Sequence, residues 1–375
     1  MKIAILGFGT IGKGVFELLS GCSDIVVKRI LDLNKWNDLM TTDFSEISND
    51  PEIELVVETM GGVEPARKYV LECLNKGKHV VTANKLLVSS CASELNTTAR
   101  DNKKAFLFSA ACGGGIPYLT NLQQTQCVDR VTALGGILNG TTNYILDQLQ
   151  TNDISFDEAL KTAQNLGYAE KDPTSDIEGF DTARKLILSC AVAYGLKISE
   201  DSIICSGIAN INGADIRFAK ENGKVIRLTA YASLHDNNEL EAWVLPGMFG
   251  TSSPEASICS NVNYAWYKAE KSGLFGFNGQ GAGSLPTAAN IVKDIISISG
   301  GRMCMFPDTL TDGKVVNNSE NSFYVRLPAE CDISVIPVKH AVDVGEYNQI
   351  ETLPTRLDDI PLNYIKQNKG FIMVM

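Results

Sequence analysis

The sequence predicts an α/β protein: an N-terminal doubly wound parallel sheet, then an α+β domain, then a short C-terminal extension. Three observations carry this. The chain opens on a short apolar run, a glycine-rich turn and a helical pattern. Apolar β-type runs then alternate with helical runs as far as residue 108, the signature of strands joined by helical crossovers. From Ala110 onward the alternation breaks down and longer strand-like runs appear, so a second domain is expected to begin there.

Residues 2–6 form the first predicted strand, and Gly7-Phe8-Gly9-Thr10-Ile11-Gly12 follows at once, leading into the helical spacing of Val15, Phe16, Leu18 and Leu19. In a G-x-G-x-x-G turn the first glycine makes the tight bend. The second lets a pyrophosphate approach the backbone, and the third allows close helix-to-strand packing. The unpaired N–H groups of the helix N-terminus then face the phosphates. A second strand over 25–31 ends at Asp32, where an acidic group can accept from ribose hydroxyls. These features predict a Rossmann-like dinucleotide site, with Gly7, Phe8, Gly9, Thr10, Ile11, Gly12 and Asp32 as contacts. NAD is slightly favoured over NADP, since a 2′-phosphate would meet like charge at Asp32, although Lys28, Arg29 and Lys35 lie near enough in sequence to offset it. A solvated loop aspartate is the competing reading.

Strands are expected over 54–58, 78–82 and 105–108, with helices over 64–76 and 91–100. Ligands bind beyond the carboxyl ends of such strands, which singles out Thr59 and Met60 after one strand and Asn84 and Lys85 after the next. A lysine there is well placed to hold an anionic substrate. Further along, 131–138 reads as a strand, with helices at 140–149, 156–166 and 186–194 and one near Leu119. Several carboxylates, Glu170, Asp172, Asp176 and Asp181 among them, precede the last of these helices, and Asp181 and Lys185 are four apart and share a helix face. Such a pair is either a solvated ion pair, worth about 0.3–0.5 kcal/mol, or part of a site; the polar approach to an apolar helix favours the site. Strand-like runs at 225–232 and 240–245 and the aromatic Tyr264, Trp266 and Tyr267 read as core strands. Gly279-Gln280-Gly281-Ala282-Gly283 precedes a helix at 286–298 and is a second candidate turn over the cofactor, which would place the site in an interdomain cleft.

The 375 residues contain 33 Lys+Arg against 44 Asp+Glu, a net charge of −11, and 44% hydrophobic residues. That balance excludes disorder and gives no footprint for nucleic acid or anionic membrane. Ten scattered cysteines and three histidines provide no zinc spacing and fit reduced thiols in the cytoplasm. The first residues are too short in apolar character for a signal peptide or a membrane span.

Taken in order, the segments GFGTIGKGV, TANK, GGGIPY, GILNGTTNYIL, GYAEKDPTSDIEGFDTARK and GQGAGSLPTA resemble homoserine dehydrogenase over residues 1 to about 300. The resemblance implies nicotinamide-dependent interconversion of L-homoserine and L-aspartate 4-semialdehyde, on the route to threonine and methionine. It also implies a homodimer or homotetramer. It places the catalytic lysine at Lys185, its partner carboxylate at Asp181, and the lysine of the Asn-Lys motif at Lys85. The acid holding the substrate's amino-acid group falls at Glu170, with Thr141 and Tyr168 in the pocket; Gly140 and Asp176 are further candidate substrate contacts. Gly167 and Gly281 correspond to glycines that approach the cofactor. A sodium ion is implied on backbone carbonyls at Ser109, Cys112, Gly114 and Ile116, where the serine departs from a glutamate position. Cys112 is expected to be a small buried residue, because nothing nearby lowers its pKa.

The implied organisation is a dinucleotide-binding domain over 1–110, completed by a segment near 279–300. A substrate-binding and oligomerisation domain follows over 111–305, with a linker and extension over 306–375. Asn317, Asn318 and Asn321 mark the linker, and a strand is expected over 323–327. The tail is short for a regulatory amino-acid-binding domain and lacks its glycine-rich turn, so it is expected to be a degenerate remnant used in assembly. Two other functions fit the bare residues: an oxidoreductase acting on another small amino-acid aldehyde or imine, and a non-catalytic dinucleotide-binding regulator.

Overall fold

Strand β1 (Lys2–Leu6) carries Ile3, Ala4, Ile5 and Leu6 in a row without solvent exposure, as a strand covered on both faces requires. The computed structural model describes every residue except 36, 153, 236 and 237. Its chain divides into two units, Met1–Arg130 with Ile187–Lys197 and Gly279–Thr311, and Val131–Leu186 with Ile198–Asn278 and Asp312–Met375. In the first unit β1 joins β2 (Val26–Leu31), β3 (Met40–Thr41), β4 (Leu55–Glu58), β5 (His79–Thr82) and β6 (Phe106–Leu107) in one six-stranded sheet, ordered β3-β2-β1-β4-β5-β6. Its strand pairs are parallel. The order reverses between β1 and β4, and the strand ends there are where an open α/β sheet places its ligand.

Helices Thr10–Leu19, Ala66–Asn75 and Lys85–Asp101 follow β1, β4 and β5. The last of these starts six residues earlier than the apolar spacing indicates. The Asn84 side chain accepts from the Leu87 N–H at 3.1 Å and caps it, and the helix breaks at Cys91, whose φ is −124° and ψ 18°. An asparagine cap supplies an orphan N–H with its partner, so a helix can begin in a stretch with little apolar periodicity.

The second unit is built on β7 (Val131–Ile137), β8 (Lys224–Leu234), β9 (Glu239–Gly250), β10 (Val262–Ala269), β11 (Gly273–Gln280), β12 (Phe323–Pro328), β13 (Val338–Asp343), β14 (Tyr347–Thr352) and β15 (Phe371–Val374). They run β11-β10-β7-β8-β9-β15-β12-β14-β13 through a mixed sheet. Tyr264, Trp266 and Tyr267 lie on β10, as the core reading requires. The strands after residue 322 share one core with β9: Phe323, Val325, Leu327, Ile350 and Ile372 pack with Trp243 and Leu245. Arg326 and Asp215, 2% and 0% exposed, form an ion pair at 2.9 Å, and the Tyr324 hydroxyl donates to the same carboxylate at 3.0 Å. The polar stretch before β12 is also tied down. Lys314 and Val315 pair alongside Glu239 and Leu240, and the Asn317 side chain accepts from the Ala242 N–H at 3.1 Å. Among the described residues, no helix is long and apolar enough to cross a membrane.

Candidate active site

In the first unit the glycine turn joins β1 to helix Thr10–Leu19. Gly7 has φ +92°, and a Cβ there would lie 2.9 Å from the Thr59 carbonyl oxygen; a Cβ on Gly12 would lie 2.1 Å from the Gly7 carbonyl oxygen. Both positions therefore exclude a side chain, one by conformation and one by contact. Gly9, by contrast, faces open space. No side chain caps the helix at Gly9, so its first N–H groups remain available to an anion. Phe8, Thr10 and Ile11 line this turn in sequence, and the Thr10 carbonyl accepts from the Ser284 hydroxyl at 2.7 Å, which ties the start of helix Ser284–Ser299 to the turn. The backbone thus forms a cradle of the kind a diphosphate requires.

Asp32 stands at the end of β2 and accepts from the Phe8 N–H at 2.9 Å and from the Asn34 N–H at 3.0 Å. Two of the three nearby cations are engaged elsewhere. Lys28 pairs with Asp50 at 2.5 Å and with Glu52, and Arg29 lies 3.5 Å from Glu46.

A carboxylate that sequence reasoning passed over organises the next strand ends. Glu58, fully buried at the end of β4, accepts from the Met60 N–H at 2.7 Å and from the Thr82 hydroxyl at 2.5 Å. Burial raises its pKa, and the Thr82 and Met60 hydrogen bonds oppose the rise. Asn84 donates to Glu58 at 3.4 Å and to the Gly62 carbonyl at 2.6 Å. Thr59 donates to the Gly7 carbonyl at 2.9 Å, so the turns after β1 and β4 are joined. Lys85 is the first residue of its helix, half-buried. The only sequence signal for Glu58 was a charged residue ending an otherwise apolar strand.

Asp181 and Lys185, both in the second unit, share one face of helix Phe180–Tyr194. Lys185 Nζ lies 2.9 Å from Asp181 Oδ2, their side chains 11% and 10% exposed, and it also donates to the Leu138 carbonyl. Such burial separates this pair from a solvated surface pair. Asn139, missed in the sequence, joins the cluster: its amide donates to Asp176 at 2.7 Å and to Asp181 at 2.9 Å. Its oxygen accepts from the Thr142 N–H at 2.8 Å, which satisfies the start of helix Gly140–Asn152. Burial, then the Asp181 charge, hold the Asp176 carboxyl above its ordinary value. Thr141 donates to the Tyr168 carbonyl at 2.6 Å, and Tyr168 meets Tyr144 edge to face, 5.1 Å between centroids. The structure thus brings Lys185, Asp181, Asp176, Thr141, Gly140 and Tyr168 into one neighbourhood. Glu170 is exposed in the segment after helix Phe156–Asn165, and Gly167 ends that helix with φ +76°.

The residues implied for sodium lie in the first unit. Ser109 donates through its N–H and hydroxyl to Asp294, at 2.8 and 2.6 Å. Asp294 is 1% exposed, and burial pushes its carboxyl up to about 6. The Gly114 and Ile116 carbonyls accept from the Asn290 amide at 2.7 and 2.9 Å, Cys112 is fully buried, and the Gly115 N–H donates to Gln280 next to Gly281. Among the described residues, no group of three or more histidine, cysteine, aspartate or glutamate side chains is placed to hold a metal.

Family models agree with these two regions: "Homoserine dehydrogenase, NAD binding domain" matches residues 7–109, and "Homoserine dehydrogenase" matches residues 117–296. The homoserine dehydrogenase of Bacillus subtilis (strain 168) is 35% identical over 317 residues, covering 80% of this chain and 72% of the relative. That of Synechocystis is 38% identical over 318 residues, covering 80% and 73%. A crystal structure of a homoserine dehydrogenase from Thiobacillus denitrificans superposes with a TM-score of 0.89 at 30% identity, over 100% of this chain and 97% of that one. With a glycine turn built for a dinucleotide in one unit and a buried lysine–carboxylate cluster in the other, the chain belongs to the homoserine dehydrogenase family, NAD(P)-dependent oxidoreductases acting on a small amino-acid substrate.

Proposed function

We propose that Lys185 carries the proton in the reversible conversion of L-aspartate 4-semialdehyde to L-homoserine. The observation that supports this is its burial beside Asp181 and the Leu138 carbonyl, an arrangement with no purpose in a solvated ion pair. When bound, the nicotinamide supplies or accepts the hydride. Reduction of the aldehyde leaves negative charge on its oxygen, so the protein must present a positive group and a proton there. The Lys185 ammonium offers both. Asp181 orients it, while Asn139 holds Asp181 and Asp176 apart from one another's full repulsion. In the oxidation direction the neutral amine, or a water it orders, takes the hydroxyl proton. Glu170, Thr141, Tyr168, Gly140 and Asp176 are assigned to the substrate's amino-acid end, and Lys85 to its anionic group.

Gly7, Phe8, Gly9, Thr10, Ile11, Gly12, Asp32, Thr59, Met60, Asn84, Lys85, Gly167 and Gly281 are assigned to the dinucleotide. NAD is the favoured coenzyme. Asp32 stands at the end of β2 while Lys28 and Arg29 are paired with other carboxylates, leaving less positive charge to receive a 2′-phosphate. In this reading residues 1–110 with 279–300 bind the dinucleotide, 111–305 bind substrate and self-associate as a dimer or tetramer, and 306–375 serve assembly. The ten cysteines are all free thiols, which suits the cytoplasm.

The test follows nicotinamide absorbance with homoserine at alkaline pH, using NAD and NADP in parallel. Wild-type protein turns over, more efficiently with NAD. Lys185→Ala lowers kcat by about 10²–10⁴-fold with a much smaller change in KM. A variant with near-normal kcat removes the role given to Lys185.

A further inference from the structure

Two of the four carbonyls that the family resemblance assigns to sodium already have a partner of the same electrostatic sense. Asn290, 1% exposed on helix Ser284–Ser299, directs its amide nitrogen at both the Gly114 and the Ile116 carbonyl oxygens, at 2.7 and 2.9 Å. A side-chain amide has two N–H donors, and this geometry spends one on each carbonyl. The positive ends of those N–H dipoles lie where a cation's charge would act on the same oxygens. The carboxylate that the resemblance implies at position 109 is missing too. Position 109 is a serine, and its N–H and hydroxyl are turned to Asp294. Asp294, one helical turn beyond Asn290, has its own positive neighbour in Arg302, 3.8 Å away. The donor set therefore does not fit a monovalent ion.

We infer that the Asn290 amide holds the turn of residues 112–116 in place of a cation, so that this protein neither needs nor binds sodium there. The Gly115 N–H, donating to the Gln280 carbonyl at 3.0 Å, fastens the turn from its other side. Nothing in the inference depends on which substrate is turned over, and its test reads stability and ion binding rather than activity.

Thermal unfolding of the full chain is measured in sodium chloride and in choline chloride at equal ionic strength, with sodium-23 line width recorded on the same protein. The inference expects coincident unfolding curves and no saturable broadening. A saturable sodium-specific rise in Tm, or broadening that lithium displaces, overturns it. Asn290→Ala should lower Tm by several degrees in choline chloride, because two buried carbonyls lose their donors; an unchanged Tm also overturns the inference. Should the alanine variant fail to fold, Asn290→Ser is measured instead, and the wild-type comparison of salts decides the question alone.

Discussion

Asn139 is the residue on which the cluster around Lys185 turns, and replacing it with alanine has a cost that can be worked out from the contacts. Its amide is shared by Asp176 and Asp181 at 2.7 and 2.9 Å, and its oxygen receives the Thr142 N–H at 2.8 Å. Loss of the helix-capping oxygen costs about 1 kcal/mol. Each hydrogen bond to a charged group contributes about 1.5–3 kcal/mol. The lower end applies to both, because Asp181 retains Lys185 and Asp176 is only partly buried. The total is roughly 4 kcal/mol, a large fraction of the roughly 5–15 kcal/mol that holds a domain folded. Urea unfolding measures it. Asn139→Ser keeps an oxygen able to cap but removes the bridging amide, so it should recover only about 1 kcal/mol of the loss. Both variants should also lose kcat, since Asp181 is no longer fixed beside Lys185. A loss below about 1 kcal/mol for Asn139→Ala, with normal turnover, would refute the view that the amide organises the site.

Three further outcomes follow from the same contacts. The Asp176 carboxyl is held above its unfolded value, first by burial and then by Asp181; its contribution to stability is therefore complete below the unfolded value near 3.8 and is lost as pH rises through the raised value. Asp176→Asn should accordingly gain in Tm relative to wild type between acid and neutral pH, and a gap independent of pH would contradict this. Asp215→Ala leaves Arg326 buried without its partner and should destabilise the protein by about 3–5 kcal/mol; a change within about 0.5 kcal/mol in denaturant unfolding would mean that the strands after residue 322 add little to the second unit. Gly12→Ala places a methyl 2.1 Å from the Gly7 carbonyl oxygen and should cost about 1–3 kcal/mol through overpacking and weaken NAD binding in calorimetric titration, whereas wild-type affinity would show that the turn tolerates opening.

The elements legible in the sequence are those whose physics is local. A strand buried on both faces must be apolar throughout, as residues 3–6 are, and a bend with φ +92° admits glycine with little competition, as Gly7 does. The pairing of Asp181 with Lys185 was legible for the same reason, since helical spacing puts residues four apart on one face. Its burial was not, because that depends on Leu138 and Asn139, more than forty residues earlier in the chain. The start of helix Lys85–Asp101 was hidden because Asn84, a capping side chain, sets it where apolar periodicity is weak.

What remained illegible shares one cause. Asn139 with Asp176, Ser109 with Asp294, Asn290 with Gly114 and Arg326 with Asp215 each join residues far apart in sequence, and each partner alone looks like an ordinary polar residue. Burying such a group is costly unless its partner is present, so the fold must supply both together, and a single sequence shows only one at a time. The consequence for a family assignment is specific. Motifs such as the glycine turn transfer because local geometry demands their residues. A ligand set made of backbone carbonyls, such as those of Gly114 and Ile116, transfers only if the side chains packed behind it leave room for the ligand, and here Asn290 already occupies their hydrogen-bonding side.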